Sequence, residues 1–202
     1  MYRNITVSDN AGVSDDQHRG PGRPRRAEVD ARIRDATLAL LRERGPGAVS
    51  VASVAERSGI ARTTIYRRYD DREALLADAL GQLASRGAPA DHLDLAGRVE
   101  WLLARTAEVL DQGIGPGGVA AVLTGSDPDF AAALRRALEE GLAPVVSQVR
   151  RDRRTGLLGT DASAETVIDL LLGAHLAARL RRGRADAAWR RRTAVALGKL
   201  LG

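Results

Sequence analysis

The chain has 202 residues, a net charge of +5, 44% hydrophobic residues, 3% aromatic residues and no cysteine. The missing cysteine excludes disulfides, thiol nucleophiles and cysteine metal ligands. No apolar run approaches the roughly 18 residues of a membrane-spanning helix. A core made of Leu, Ala and Val, in a chain rich in strong helix formers, predicts an all-α protein. Because the N-terminus lacks the apolar centre of a secretory signal, we expect a cytoplasmic location.

Positive charge is concentrated near the N-terminus. Residues 17–72 carry 13 arginines against seven acidic residues, whereas residues 73–202 carry 17 basic residues against 16 acidic ones. Such an asymmetry favours a polyanionic partner for the first region. An arginine-rich composition that gives basic patches anywhere is the alternative explanation.

Residues 1–26 are predicted to form a disordered basic arm. Residues 1–17 are polar, and HRGPGRPRR (His18–Arg26) contains too much Gly and Pro for a helix. Gly22-Arg23-Pro24 is similar to the core of a hook that lays an extended arginine along a narrow A·T-rich minor groove. A flexible tail bound loosely to phosphates is the alternative, and both predict DNA contact by Arg23 and Arg25.

Residues 27–72 are predicted to form a helix-turn-helix domain. From Ala27 onward, five residues recur at the spacing of one helix face: Ile33, Ala36, Thr37, Leu40 and Leu41. RGPG (residues 44–47) ends this helix. Ser50 caps a short second helix, and Gly59 suits the left-handed turn that follows it.

The third predicted helix, within SGIARTTIYRRY (residues 58–69), has an unusual outward face. At about 100° per residue, one side packs on the first two helices through Ala61, Ile65 and Tyr69. The opposite side carries Arg62, Thr63, Tyr66 and Arg67, with Thr64 and Arg68 on the flanks. Two short helices joined by a Gly turn, the second polar and basic outside, are typical of a unit whose second helix enters the major groove.

Each outward residue type suits contact with DNA. Arginine bonds to guanine O6 and N7, threonine offers a methyl or hydroxyl group to a base, and tyrosine bonds to a phosphate. Arg72 starts a fourth helix, capped by Asp70 and Asp71, and is expected to hold a flanking phosphate. The candidate DNA-binding residues are Arg23, Arg25, Ser50, Arg62, Thr63, Thr64, Tyr66, Arg67, Arg68 and Arg72.

These motifs resemble a known family. Residues 27–80, about a quarter of the chain, are similar to the DNA-binding domain of the tetracycline-repressor (TetR/AcrR) family through VxxVAxxSGIxxxTIYRRY and xxREALLxxAL. Thr63, where many members have a smaller residue, and Asp70-Asp71 depart from the pattern. The resemblance implies two sets of roles: Thr64, Tyr66 and Arg72 position the DNA backbone, and Arg62, Thr63 and Arg67 read bases.

Residues 73–202 are predicted to form a helical effector-binding and dimerisation domain. Residues 163–182 carry one apolar stripe with Val167 and Leu171 and a second with Ile168, Leu172 and Leu176, so one can face the core and the other a partner. Burial of both stripes within the monomer is the alternative. The resemblance implies a homodimer through the last two helices, with these interface candidates: Val167, Leu170, Leu171, Ala174, Ala178, Trp189, Ala196 and Leu200.

The resemblance also implies a small-molecule site between the helices of this domain. The polar or aromatic candidates on otherwise apolar helices are Trp101, Arg105, Thr124, Gln148 and His175, for each of which a core or surface role is the alternative. No cofactor, metal or catalysis is expected, because the three histidines lack metal-ligand spacing and GIGPGG lacks the Lys and Ser/Thr of a phosphate loop. The prediction is a repressor released from a palindromic operator by a ligand; an architectural DNA-binding protein without an effector is the alternative.

Overall fold

The computed structural model describes residues 22–85 and 87–202, with side chains from Arg26 onward. These residues form nine α-helices: α1 Gly22–Arg44, α2 Val51–Ser58, α3 Arg62–Tyr66, α4 Arg72–Ala84, α5 Leu95–Ala107, α6 Gly115–Thr124, α7 Pro128–Arg154, α8 Ala164–Arg182 and α9 Ala187–Leu201. A 3₁₀ turn, Pro46–Ala48, lies between α1 and α2, and a π-helical segment, Glu108–Ile114, joins α5 to α6. The predicted all-α fold is confirmed. No helix within these ranges has the length and apolar character needed to cross a membrane.

Helix α1 begins earlier than predicted. Its first residue is Gly22, so the expectation of an extended, non-helical segment up to Arg26 is wrong from Gly22 onward. Pro24 falls in the first turn, where a missing N–H breaks no helical hydrogen bond, and the neighbouring arginines are strong helix formers. Residues 1–21, for which disorder was predicted, lie outside the described residues, as do the side chains of Arg23 and Arg25.

The packing predicted for the first two helices is confirmed. All five residues of the expected inner face of α1 are buried: Ile33, Ala36, Thr37, Leu40 and Leu41. Ser50 caps α2 as expected. Its Oγ accepts a hydrogen bond from the Ser53 N–H (3.1 Å), and its own N–H donates to Ser53 Oγ (3.0 Å). Gly59 ends α2 at a φ of 67°, the left-handed region that favours glycine.

One hydrophobic core extends across the predicted domain boundary at residue 72. It contains buried residues of α1–α4 together with Ile114, Ala121, Phe130, Leu134 and Ala137, which belong to the π-helical segment, α6 and α7. Helices α4 and α7 come close together at Gly141, where an added Cβ would lie 2.7 Å from the Cβ of Ala84. The helix-turn-helix unit is therefore packed directly on α6 and the first half of α7.

A second core joins α5, the end of α7, α8 and α9. Within it, Arg98 of α5 forms a buried ion pair with Asp152 of α7 at 2.5 Å, and Gln148 Nε2 donates to the same carboxylate at 2.9 Å. Removing one partner of such a pair would leave a buried charge without compensation. The pair therefore holds α5 against the C-terminal end of α7.

Candidate nucleic-acid interface

Two buried side chains hold α3 on the rest of the molecule. Ile65 is fully buried, and Tyr69 donates a hydrogen bond from its hydroxyl to Asp78 Oδ2 at 2.7 Å. Burial and the adjacent Asp78 carboxylate raise the pKa of Tyr69, so its hydroxyl stays protonated as a donor. Ala61, which was expected on the same packed face, is exposed because it precedes α3 as the N-cap residue with an extended backbone.

The outward face predicted for α3 is confirmed as exposed surface. Its four residues are Arg62, Thr63, Tyr66 and Arg67, and the Tyr66 side chain is 56% exposed. Each side chain is free of hydrogen-bond and ion-pair partners among the described residues. Groups available for a ligand are therefore collected on one side of α3, whereas Thr64 beside them is half-buried. Their contact with DNA stays a prediction.

Arg68 and Arg72 are used inside the protein, contrary to the expected contacts with DNA. Arg68 Nε pairs with Asp30 Oδ1 of α1 at 2.7 Å. Arg72 donates from Nε to the Val49 carbonyl (3.1 Å), from Nη2 to the Pro46 carbonyl (2.8 Å), and pairs with Asp127 Oδ2 at 2.5 Å. The carboxylates that bind both guanidinium groups are distant in the sequence, so neither the helix period nor the position of Arg72 at the start of α4 revealed these partners.

We call Arg72, Asp127 and the carbonyls of Pro46 and Val49 the Arg72 latch. Asp127 is also the N-cap of α7, where it accepts a hydrogen bond from the Phe130 N–H at 3.0 Å. Its partial burial acts to raise its pKa, but the bonds from Arg72 and Phe130 outweigh this and lower the pKa of Asp127. The latch joins the start of α4, the segment between α1 and α2, and the start of α7.

A cavity of about 250 Å³ lies behind this unit. It is enclosed by the end of α4, α5, the π-helical segment, α6, α7 and α8, and most of its lining is aliphatic. The lining residues are Ala84, Gly87, Leu102, Arg105, Thr106, Val109, Leu110, Ile114, Val119, Val122, Leu123, Leu134, Leu138, Gly141, Leu142, Val145, Ile168, Leu171, Leu172 and Leu176. Leu123 is 76% exposed, so the cavity reaches the surface beside it.

Of the five residues predicted to contact a ligand, Arg105 alone lines this cavity. Thr124 donates to the Ala120 carbonyl, Gln148 pairs with Asp152, and His175 is fully buried against Asp111 and Trp189. Trp101 packs against the second core. Polarity was therefore a poor guide here, because these polar groups find partners within the protein.

Ile168, Leu172 and Leu176 of α8 form a wall of the cavity, a role that the helix period did not predict. These three residues are the second apolar stripe of α8, for which the sequence predicts contact with either the core or a partner subunit. The signal was present in the sequence, since α8 carries two apolar stripes and a single core needs only one. Such a stripe can also line a cavity. The helix period alone does not distinguish this outcome from packing on the core or contact with a partner subunit.

The residues predicted for the dimer interface differ in their burial. Val167, Leu171, Ala178 and Trp189 are buried in the second core of the same chain, so these four are corrected to intramolecular packing. Ala174 is half-buried against the same core, and its contact with a partner stays a prediction. Leu170, Ala196 and Leu200 are exposed. Two further exposed apolar residues were missed: Leu180 on α8 and Val195 on α9. We call these five exposed residues the α8–α9 apolar face.

Comparison with known proteins agrees with this geometry. Residues 33–79 match the family model of bacterial regulatory proteins of the tetR family. The HTH-type transcriptional repressor KstR of Mycolicibacterium smegmatis is 43% identical over 67 residues, which are 33% of this chain and 33% of that repressor. This similarity thus spans about one third of the curated relative's length.

Solved structures share the fold over most of the chain. The TetR family transcription regulator SCO0332 has a TM-score of 0.58 at 23% identity, covering 87% of this chain and 99% of that one. GusR of Salmonella enterica has a TM-score of 0.59 at 18% identity, covering 91% and 96%. At such identities the likeness shows a shared fold and no more.

Proposed function

We propose that this chain, whose residues 33–79 match the family model of bacterial regulatory proteins of the tetR family, is a cytoplasmic, homodimeric transcriptional repressor. It binds a two-fold symmetric DNA operator through α3 and releases it when a small molecule fills the cavity. The observation that carries the proposal is the exposed face of α3, where Arg62, Thr63, Tyr66 and Arg67 have no partner among the described residues.

The chemistry of that face supports reading of the major groove. Two guanidinium groups, a hydroxyl and a phenol project from α3 and from Arg67, which directly follows it, and the buried residues Ile65 and Tyr69 hold this segment in place. Arginine is the commonest partner of guanine O6 and N7, whereas tyrosine and backbone-facing groups position the duplex. We assign base reading to Arg62, Thr63 and Arg67, and phosphate contact to Tyr66.

Dimerisation is proposed through the α8–α9 apolar face. Leu180 is 88% exposed and Leu200 is 77% exposed, and exposed leucines collected on two helices are typical of an interaction surface. A symmetric partner copy would cover the same face on both chains. It would also place two α3 helices at half-sites about one turn of DNA, or a simple multiple, apart.

Release by a ligand is supported by contacts of α1 and the residue after it with the π-helical segment and α6, both of which carry residues that line the cavity. Arg42 Nη1 donates to the Gln112 carbonyl of the π-helical segment at 2.8 Å. An added Cβ at Gly115 would lie 2.8 Å from the Arg42 carbonyl oxygen, and one at Gly117 would lie 3.1 Å from the Gly45 Cα. A displacement of this wall is therefore passed to the end of α1. The ligand shifts the equilibrium between the DNA-binding and DNA-free conformations only to the extent that it binds the DNA-free conformation more tightly.

The test is selection of bound fragments from the source genome, followed by footprinting at two salt concentrations. We expect a protected site with two-fold symmetry and an affinity that falls as salt rises. The variant Arg62→Ala/Arg67→Ala should lose the footprint while keeping its helical circular dichroism. Uniform weak binding without a footprint would favour the architectural alternative, and no binding at low salt would refute the proposal.

A further inference from the structure

We propose that the cavity binds an aliphatic carboxylate, whose apolar chain fills the space and whose head group pairs with Arg105. This inference deepens the proposed function, because it names the chemical class of the effector. It rests on two features of the described residues: the composition of the cavity wall, and a guanidinium nitrogen of Arg105 that is buried without a partner.

The wall selects an apolar ligand body. Leucine, valine, isoleucine, alanine and glycine supply all of the lining except Arg105 and Thr106. The Thr106 hydroxyl already donates to the Leu102 carbonyl at 2.9 Å. An apolar cavity of about 150 Å³ stays dry and admits benzene, so this cavity of about 250 Å³ accommodates a larger hydrocarbon.

Arg105 is the ionisable residue among those that line the cavity, and its hydrogen bonding is incomplete. Nη1 pairs with the Glu108 carboxylate, whereas Nη2 is buried and has no acceptor among the described residues. Buried donors are nearly always satisfied. A carboxylate on the ligand completes the guanidinium fork with charged hydrogen bonds.

The position of Glu108 lets the ligand compete for Arg105. The Glu108 side chain is 44% exposed, so it can turn to solvent when a second carboxylate arrives. The two carboxylates would repel each other across one guanidinium group. Glu108 is also the first residue of the π-helical segment that contacts α1. Pairing of the ligand with Arg105 therefore acts at the start of the segment proposed to transmit release.

Calorimetric titration of the full chain with decanoate, below its critical micelle concentration, and with decanol, below its solubility limit, tests the inference. We expect decanoate to bind the native chain and decanol to bind more weakly. Arg105→Gln should weaken decanoate roughly 10- to 100-fold, the loss of a charged hydrogen-bonding partner, and leave decanol nearly unchanged. Glu108→Gln should tighten decanoate alone. Arg135→Gln, at an exposed α7 position outside the lining, is the matched control and should behave like the native chain.

Equal binding of the two probes, a decanoate preference that survives Arg105→Gln, or binding of neither probe would overturn the inference. Arg105→Lys guards against misfolding, because it keeps the charge and should retain part of the preference. Operator binding is measured separately without either probe. A chain that binds decanoate through Arg105 but no DNA would contradict the proposed function alone, and a chain that binds its operator but shows no Arg105-dependent preference would contradict the inference alone.

Discussion

Replacing Arg72 by methionine is expected to destabilise the fold and not to remove a DNA contact. The substitution keeps an unbranched apolar stem and removes the bonds to the Val49 and Pro46 carbonyls and to Asp127. Hydrogen bonds to charged groups contribute about 1.5–3 kcal/mol each and are not additive. Since the bonds are not additive and the Arg72 side chain keeps 29% exposure, we count the set as the equivalent of about two bonds at the low end of this range. The free energy of unfolding should fall by about 3 kcal/mol.

A double-mutant cycle in urea measures the part of the Arg72 latch that depends on Asp127. Asp127→Asn keeps an N-cap side chain for α7 and removes the charge, so it should cost about 1–2 kcal/mol, with a coupling energy to Arg72→Met of about 1–2 kcal/mol. The matched control is the Arg136–Glu73 pair. It also joins α7 to α4, but both side chains are more than half exposed, so its coupling should stay below about 0.5 kcal/mol.

Acid provides an independent check on the Arg72 latch. The pKa of Asp127 is lowered in the folded state, so the unfolded chain binds the proton more readily. The contribution of the ionised carboxylate is therefore complete above the ordinary aspartate pKa of about 3.9 and is lost as pH falls through the lower folded value. The stability gap between the native chain and Asp127→Asn should narrow in that acidic range. Unchanged stability of Arg72→Met, with weaker binding to every DNA sequence, would refute this reasoning and restore a phosphate contact.

Five further substitutions test other parts of the molecule. Arg62→Ala should relax specificity at particular base pairs by about 1–3 kcal/mol, whereas Tyr66→Phe should weaken all sequences alike; competition with operator variants measures both, and equal losses at every site would contradict the division of roles. Leu200→Arg, on the α8–α9 apolar face, should weaken self-association by roughly 2 kcal/mol or more in sedimentation experiments, and an unchanged dimer would exclude this face. Gly59→Ala, at a φ of 67°, should cost about 1 kcal/mol of stability. Gly81→Ala, in open space within α4, should instead be stabilising in the same thermal melts.

Local signals in the sequence predicted much of the fold and the exposure of four side chains at α3. The inner face of α1, the Ser50 cap and the left-handed Gly59 depend on residues within one or two helical turns of each other. The exposure of Arg62 and Arg67 followed from the same periodicity. Such features are determined by short-range geometry, so a single sequence is enough to place them.

The destinations of long polar side chains could not be predicted in this way. Arg68 and Arg72 lie beside the exposed residues of α3 in sequence, yet each meets a carboxylate 38 or 55 positions away. Long, flexible side chains bond with whichever groups folding brings close to them, and those groups can be far away in the sequence. The same reason explains the ligand candidates, since Gln148 and His175 found partners in the core.

By itself, the sequence determined the helical class, the helix-turn-helix unit and the polar face of α3, because each is written in the order and spacing of neighbouring residues. Only the tertiary structure decided which guanidinium groups stay free, which stripe of α8 packs on the core and which lines the cavity, and that Arg105 faces this cavity with one nitrogen unpaired. Those outcomes depend on the mutual placement of α5, α7 and α8. Helix periodicity assigns a residue to a face but does not say what that face will meet.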